Sequence, residues 1–391
     1  MEEGNVSGWK TDRVTDSALM FYNCQALTKL DVSAWNMQRN KNIQMMFYWC
    51  LNLPELDTSA WTLSPEAKTS SFSTGASRAF GRLLSLTELD VTKLGHCYHK
   101  GMVELNTLKV SDAAGNEQAY PAALETLKMN TYKDTQSGPN NSSVTRDFTQ
   151  AKDFHTSFIL PEKSHWNVYR LDGAATRQKK IATYDTDAAG LMQMTNVNPR
   201  ITETESLQQD TNYEFHMAHK LTFDPNGGTL ASGTLDYIYV DRHGVVKADG
   251  IVDKTAHPTG KNPQAQIAAG LTPPAEKGKF LYWSTTPDGS SDALATGMTI
   301  TKDVTLYAIY APKSQPTPPT PPAPNPQPTP GKPAPKPEAP AGKPTPKPAA
   351  PAAPTAKLPK TGDVSQAMMP LVAIFSAAGV VMARLHRRNK A

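Results

Sequence analysis

Histidine and cysteine close together in sequence are where metal or acid–base chemistry would be sought. His96-Cys97-Tyr98-His99 and the pair His216 and His219 are the two candidates. A zinc site needs a second ligand pair at zinc-finger spacing or an H-E-x-x-H helix, and neither cluster has one. Solvated histidines and, around Cys97, a degenerate repeat coil are the simpler reading. No G-x-S-x-G, phosphate-loop or protein-kinase pattern occurs. Asn226-Gly227-Gly228 is glycine-rich, but no helix or lysine follows to hold a phosphate, so these residues read as turn formers. No catalytic residue, metal ligand or cofactor is therefore assigned, and the chain is not expected to be an enzyme.

The other chemically specific segment lies at the far end. Leu358-Pro359-Lys360-Thr361-Gly362 precedes an apolar run from Met368 to Ala383, broken only by Pro370, Ser376 and Gly379. With Val364–Ala367 this run is long enough to cross a hydrocarbon core of ~30 Å as a single helix. Arg384, Arg387, Arg388 and Lys390 follow, and such charges resist translocation and hold a tail in the cytoplasm. The order of parts resembles the LPXTG sorting signal of Gram-positive surface proteins, with every fixed position matched. The resemblance implies that a sortase cysteine attacks the Thr361 carbonyl and releases Gly362 onward. A peptidoglycan amine then resolves the thioester, leaving Thr361 covalently joined to the wall. Pro359, with its fixed φ, pre-bends the substrate. The alternative is an ordinary C-terminal membrane anchor carrying a chance LPKTG.

Those elements need something to present. Residues 312–357 are rich in proline and lysine (PTPP, KPAP, KPTPKP) and cannot bury a core. Such a segment favours polyproline II and, extended, reaches on the order of 140 Å, which suits a wall-spanning spacer. The chain's net charge of +4 is misleading, because spacer and tail carry +5 and +4 and residues 1–311 carry −5. The basic charge gives no argument for nucleic acid as a partner.

Near the N-terminus the sequence repeats. Met20-Phe21-Tyr22-Asn23-Cys24 returns as Met46-Phe47-Tyr48-Trp49-Cys50, and Leu30-Asp31-Val32-Ser33-Ala34-Trp35 as Leu56-Asp57-Thr58-Ser59-Ala60-Trp61, a period of 26 residues. Trp9 keeps the same phase. Phe80–Val91 is a degenerate third copy, and Leu105–Val110 looks like a fourth half-copy. Alternation places Leu30 and Val32 on one face of a short strand and Asp31 on the other. Cys24 and Cys50 share a phase and are expected to form a buried thiol ladder, with a disulfide as the minority reading. Trp9, Trp35 and Trp61 are expected to stack as packing groups, a glycan-binding row being the lesser alternative. The L-x-x-L-x-V/T core and the MFYNC…LTxLDVSxW pattern resemble BspA-like leucine-rich repeat surface proteins. That resemblance implies a leucine-rich-repeat solenoid over residues 1–115, exported and presented to host or neighbouring cells.

Residues 116–219 are expected to form a β-rich transition region, with strands at His165–Leu171 and Tyr213–Met217. Residues 220–311 carry strand patterns at Leu221–Asp224, Leu235–Val240, Phe280–Trp283 and Val304–Tyr310, with a helical turn between 260 and 270. TFDPNGG, FLYWSTTPDG and TLYAIY resemble the internalin B-repeat-like family (the Listeria–Bacteroides repeat), which implies a small β-grasp-like module. Tyr282 stands where that family has glycine, and Asp241–Pro274 is longer than its usual middle. The expectation is thus a multidomain surface protein, ending in the sorting signal and transmembrane helix of residues 358–391. It would pass through a single-pass membrane precursor to the extracellular face of the cell wall. Its partners would be a sortase, peptidoglycan and a host or neighbouring-cell surface ligand, and its role adhesion. The Met1 end has no signal peptide and the first repeat is incomplete, so the chain is expected to be the C-terminal portion of a longer protein. A structural stalk whose binding or enzymatic head lies upstream is the alternative.

Overall fold

The 26-residue spacing of the sequence becomes a spacing of the backbone. In the computed structural model, which describes residues 3–69, 75–98, 101–137, 143–171, 177–198, 201, 205–242, 245–247, 250–252, 267–290 and 300–313, β1 (Glu3–Gly4) and β2 (Lys29–Leu30) pair in parallel, Glu3 opposite Lys29. Across the coil, the N–H groups of Ser17, Leu19, Phe21 and Asn23 donate to the carbonyls of Asn42, Gln44, Met46 and Tyr48 at 2.8–2.9 Å. Ile43, Met45, Phe47 and Trp49 donate in turn to Gly75, Ser77, Ala79 and Gly81. Each coil therefore gives its donors to the next. Leu19 and Asn23, Met45 and Trp49, and Arg78 and Arg82 all have φ between +50° and +70°. Non-glycine residues adopt that conformation at a cost, and here the coil-to-coil hydrogen bonds hold them in it.

The left-handed pairs aim one aromatic ring per coil inward. Phe21, Phe47 and Phe80 stack at 5.6 and 6.0 Å between centroids. Trp9, Trp35 and Trp61 form a second ladder at 5.7 and 6.2 Å. Leu30 and Val32 are buried beneath them while Asp31 is exposed, as alternation requires.

The third coil carries β3 (Phe80–Gly81) and β4 (Glu88–Asp90), and β5 (Val103–Glu104) continues the stack by pairing in parallel with β3. The expected fourth half-copy does not continue it. Leu108–Ser111 (β6) folds into an antiparallel hairpin with β7 (Glu117–Tyr120). Its turn is closed by the Asp112 carboxylate, which accepts from the N–H groups of Ala114 and Asn116, with Gly115 at positive φ. The place beside β4 belongs to β8 (Thr126–Asn130), parallel to β4 on one edge and antiparallel to a later strand on the other. At β8 the coil stack becomes a sheet.

After the hairpin of β9 (Lys133–Ser137) and β10 (Ser143–Asp147), α1 (Ala151–Ser157) leads into β11 (Phe158–Ile159), which pairs with β5. Gly101 and Leu105 donate to Thr156 and Ile159, so α1 and β11 close this end of the stack. The strands β12 (His165–Leu171), β13 (Arg177–Thr186), β14 (Met192–Gln193) and β15 (Asn212–Asp224) build the main sheet. β15 is 13 residues long and runs through residues 219 and 220, where the sequence places a module boundary. Its first half pairs with β8 and β12.

The chain continues as β16 (Thr229–Leu230), β17 (Tyr237–Asp241), β18 (Val245–Lys247), β19 (Gly250–Val252), β20 (Leu271–Thr272), β21 (Lys277–Ser284) and β22 (Val304–Pro312). The second half of β15 is antiparallel to β17 and parallel to β22, and β21 is antiparallel to β22. Leu221, Phe223, Val240, Trp283, Leu306 and Tyr310 share one core with Ile267, which begins a helical turn at the expected place. The turn at Asn226-Gly227 has φ of +47° and +85°. A Cβ on Gly228 would meet the Thr272 carbonyl at 2.6 Å and the Tyr310 hydroxyl at 2.4 Å. Tyr310 uses that hydroxyl to donate to the Pro225 carbonyl at 2.7 Å. Gly228→Ala is therefore expected to lower stability by about 1–3 kcal/mol, read from urea denaturation, while Gly8→Ala, with nothing within 4 Å of its Cβ and no positive φ, costs less.

The described residues are β-rich, with a curled half-barrel sheet and few helices, and none of those helices is long and apolar enough to cross a membrane. The chain divides into two compact units, Met1–Pro318 and Pro319–Ala391. The second lies outside the described residues. The expected sorting residues Leu358, Pro359, Lys360, Thr361 and Gly362 fall there, as do the apolar segment and Arg384, Arg387, Arg388 and Lys390.

Candidate functional site on the coil stack

The recurring L-D-V/T-S of the coils is turn chemistry. Asp31 accepts from the Ser33 hydroxyl at 2.7 Å and its N–H at 3.1 Å, and Asp57 does the same with Ser59. Asp90 repeats the pattern with Thr92. The Ser33 hydrogen bonds hold the Asp31 carboxyl below its ordinary range. These carboxylates terminate the strands, leaving a row of anionic groups along the coil surface. Beside the second and third turns lies a cleft of about 350 Å³ lined by Pro54, Asp57, Thr87, Glu88, Asp90 and Lys128. Lys128 reaches across it to Glu88 at 2.6 Å.

The opposite side of the coils is aromatic. Tyr22 and Tyr48 stack at 6.2 Å with 5° between planes, and Tyr48 lies so closely over Gly81 that a Cβ there would meet the ring at 2.4 Å. Trp61 donates its indole N–H to the Val32 carbonyl of the coil before it. Residues 2–84 match the family model DUF285, described as a Mycoplasma protein of unknown function. No curated protein and no solved structure matches the chain. The DUF285 segment covers both full copies of the repeat and reaches into the third.

Within the DUF285 segment the two cysteines differ. Cys50 is fully buried with its thiol on the Phe21 carbonyl at 3.1 Å, whereas Cys24 is half-buried, so the expected thiol ladder is buried at only one rung. None of the three cysteines is in a disulfide among the described residues. Burial, with the nearby Cys24 adding to it, pushes the Cys50 thiol up to about 12; burial raises Cys24 as well. Thiolate is the reactive form. In the native protein at pH 8, iodoacetamide is expected to label Cys24 first, with Cys50 and the buried Cys97 labelled only after denaturant is added. Mass spectrometry of tryptic peptides reads the order.

The two histidines that the sequence pairs do not converge, although His219 shares Asp303 with His165, whose Nε2 is 3.8 Å from it. Three residues apart on β15, His216 and His219 point to opposite faces. His216 is not solvated as the sequence suggests: it is buried, with Nε2 3.1 Å from the Thr126 hydroxyl. His219 is partly buried, and its Nδ1 is 3.9 Å from Asp303. Burial pushes its pKa down against the pull of Asp303. Cys97 is buried, while His99 and the His96 side chain lie outside the described residues. Among the described residues no group of three or more His, Cys, Asp or Glu is placed to hold a metal ion.

One polar group of residues has no flag in the sequence. Across the main sheet, Tyr169 lies between Lys180 and Glu214, and Asn167 between Thr183 and His216. All six are buried. Asp241, also fully buried, accepts from Asn167 Nδ2 at 2.8 Å and from the Tyr169 hydroxyl at 2.5 Å. Burial raises its pKa, but Lys180, His216 and these two hydrogen bonds outweigh burial and hold the carboxyl below its ordinary range.

Proposed function

We propose that this chain is a surface protein fixed covalently to peptidoglycan through Thr361, with the coil stack as its presenting head. The observation that carries the reading is the ordered run of Leu358-Pro359-Lys360-Thr361-Gly362, an apolar span and Arg384, Arg387, Arg388 and Lys390. The proline-rich spacer ahead of it and the acidic balance of residues 1–311 support it. A sortase and peptidoglycan are then obligate partners, and the ligand is a host or neighbouring-cell surface molecule. In this reading the coils are BspA-like leucine-rich repeats. Each coil adds contact area to the last, which suits an extended partner. Residues 220–311 are an internalin B-repeat-like, β-grasp-like module between head and spacer. Its parallel β15–β22 pair beside the antiparallel β21 is compatible with that.

The test is fractionation of a sortase-bearing Gram-positive host expressing the chain behind a secretion leader. The wild-type protein should be released only by enzymatic digestion of the wall, and Thr361→Ala should shift it to membrane and medium. Wall attachment that survives Thr361→Ala would sink the proposal, as would a wild-type protein recovered from the membrane alone.

A further inference from the structure

The buried polar layer of the main sheet brings an amine, a carboxamide and a carboxylate together out of water. The Asn167 carboxamide is held at both ends. Its Oδ1 accepts from the Thr183 hydroxyl at 2.8 Å, and its Nδ2 donates to Asp241 Oδ2 at 2.8 Å. The Tyr169 hydroxyl donates to the same Asp241 oxygen at 2.5 Å. Lys180 is paired across the strands with Tyr169, and its Nζ lies 3.5 Å from the Tyr239 carbonyl, two residues from Asp241 on β17. The Lys180 charge acts on the Asp241 carboxyl. Lys180 is 4% exposed, and Asn167, Thr183 and Asp241 are fully buried.

We propose that Lys180 and Asn167 form an intramolecular isopeptide bond, with Asp241 as the proton carrier and Thr183 holding the carbonyl oxygen. Burial removes the hydration that keeps an amine and a carboxylate charged, so a proton can pass from the Lys180 ammonium to Asp241. The neutral Nζ attacks Asn167 Cγ, and the carbonyl π pair moves onto Oδ1, beside the Thr183 hydroxyl. Asp241 gives its proton to Nδ2 and takes a second one from Nζ. The Cγ–Nδ2 bond then breaks with its electron pair on nitrogen. One amide replaces another and nothing is oxidised or reduced. Ammonia leaves, carrying the last proton away from Asp241 as ammonium. Holding both groups in one fold makes the step unimolecular. The resting pair is ionised, so the reactive amine is a minor species and closure is slow. Freshly purified protein is therefore unlinked and ages into the linked form. The bond ties β12 to β13, so a backbone cut anywhere between residues 167 and 180 leaves the chain in one piece. The inference does not depend on wall attachment.

The test ages the purified full chain for weeks at neutral pH, natively and in urea, before trypsin digestion and tandem mass spectrometry. In the native sample, residues 164–170 should become joined through Asn167 to residues 180–200 through Lys180. The joined species should be lighter than the two peptides together by one ammonia. Asp241→Asn, with its fold checked by circular dichroism, should slow the joining at least about a hundredfold. Thr183→Val keeps the side-chain shape and the proton carrier, and should slow it at least about tenfold. It serves if Asp241→Asn does not fold. Absence of the joined peptide from the native sample overturns the proposal, as does equal joining in urea. So does a link from Lys180 to Asp241 with loss of water, or an unchanged rate in either folded variant.

Discussion

Replacing Asp241 with alanine is expected to lower the stability of the folded unit by about 3–5 kcal/mol, read as a fall in the urea midpoint at neutral pH. The carboxylate sits in a fully buried layer where Lys180 and His216 are also buried, and it accepts from Asn167 and Tyr169. Truncation leaves buried cationic and donor groups short of their acceptor, and that uncompensated desolvation is the source of the loss. Asp241→Asn keeps the shape and still accepts from Tyr169 but removes the charge, so its cost should lie between wild type and alanine. Because Asp241 is held below its ordinary pKa in the folded state, its ionisation stabilises the fold above the unfolded value of about 4. That contribution is lost as pH falls through the lower, folded value. The gap between wild type and Asp241→Asn should therefore be flat from pH 5 to 7 and close as pH falls below about 4. A gap independent of pH down to 3 would show that charge is not what Asp241 contributes.

What the sequence disclosed depended on how local the determinant was. The coil period, the inward Leu30 and Val32, the tryptophan ladder and the strands around Phe223, Trp283 and Leu306 were legible. In each case one segment's own alternation or repeat fixes which face is buried. Leu105–Val110 misled because it keeps the Leu-x-x-Leu pattern. The turn at Asp112–Asn116 sends it into a hairpin, and β8, with no repeat signature, takes the place beside β4. The polar layer was illegible for a different reason. His165, Asn167 and Tyr169 alternate with Trp166 and Val168, which reads as a strand with one wet face. Yet Asn167 and Tyr169 are wholly buried, because Thr183, His216 and Asp241, distant in sequence, supply their partners. Alternation shows that two faces differ, and only long-range pairing shows that both are covered.

Phe47→Ala is expected to destabilise the unit by about 3–5 kcal/mol, the range for removing a buried aromatic ring from a core that relaxes only in part. Phe47 is fully buried between Phe21 and Phe80, with Trp61 at 6.1 Å. The residue on each side of it in the coil is held by bonds to neighbouring coils, so the backbone has little freedom to collapse into the space left behind. Phe21 has the same role one coil earlier, with the Trp9 ring at 6.4 Å beside it, and keeps 9% exposure. In a stack whose stability sums over nearest-neighbour interfaces, Phe47→Ala removes a ring that is fully buried between two phenylalanines, whereas Phe21 stacks on Phe47 and on Trp9, which is half-exposed. Phe21→Ala should therefore cost less than Phe47→Ala by denaturant titration. Equal losses at the two positions would mean that the coils do not act as separable units, and that the sheet beyond β8 governs the stability of the whole stack.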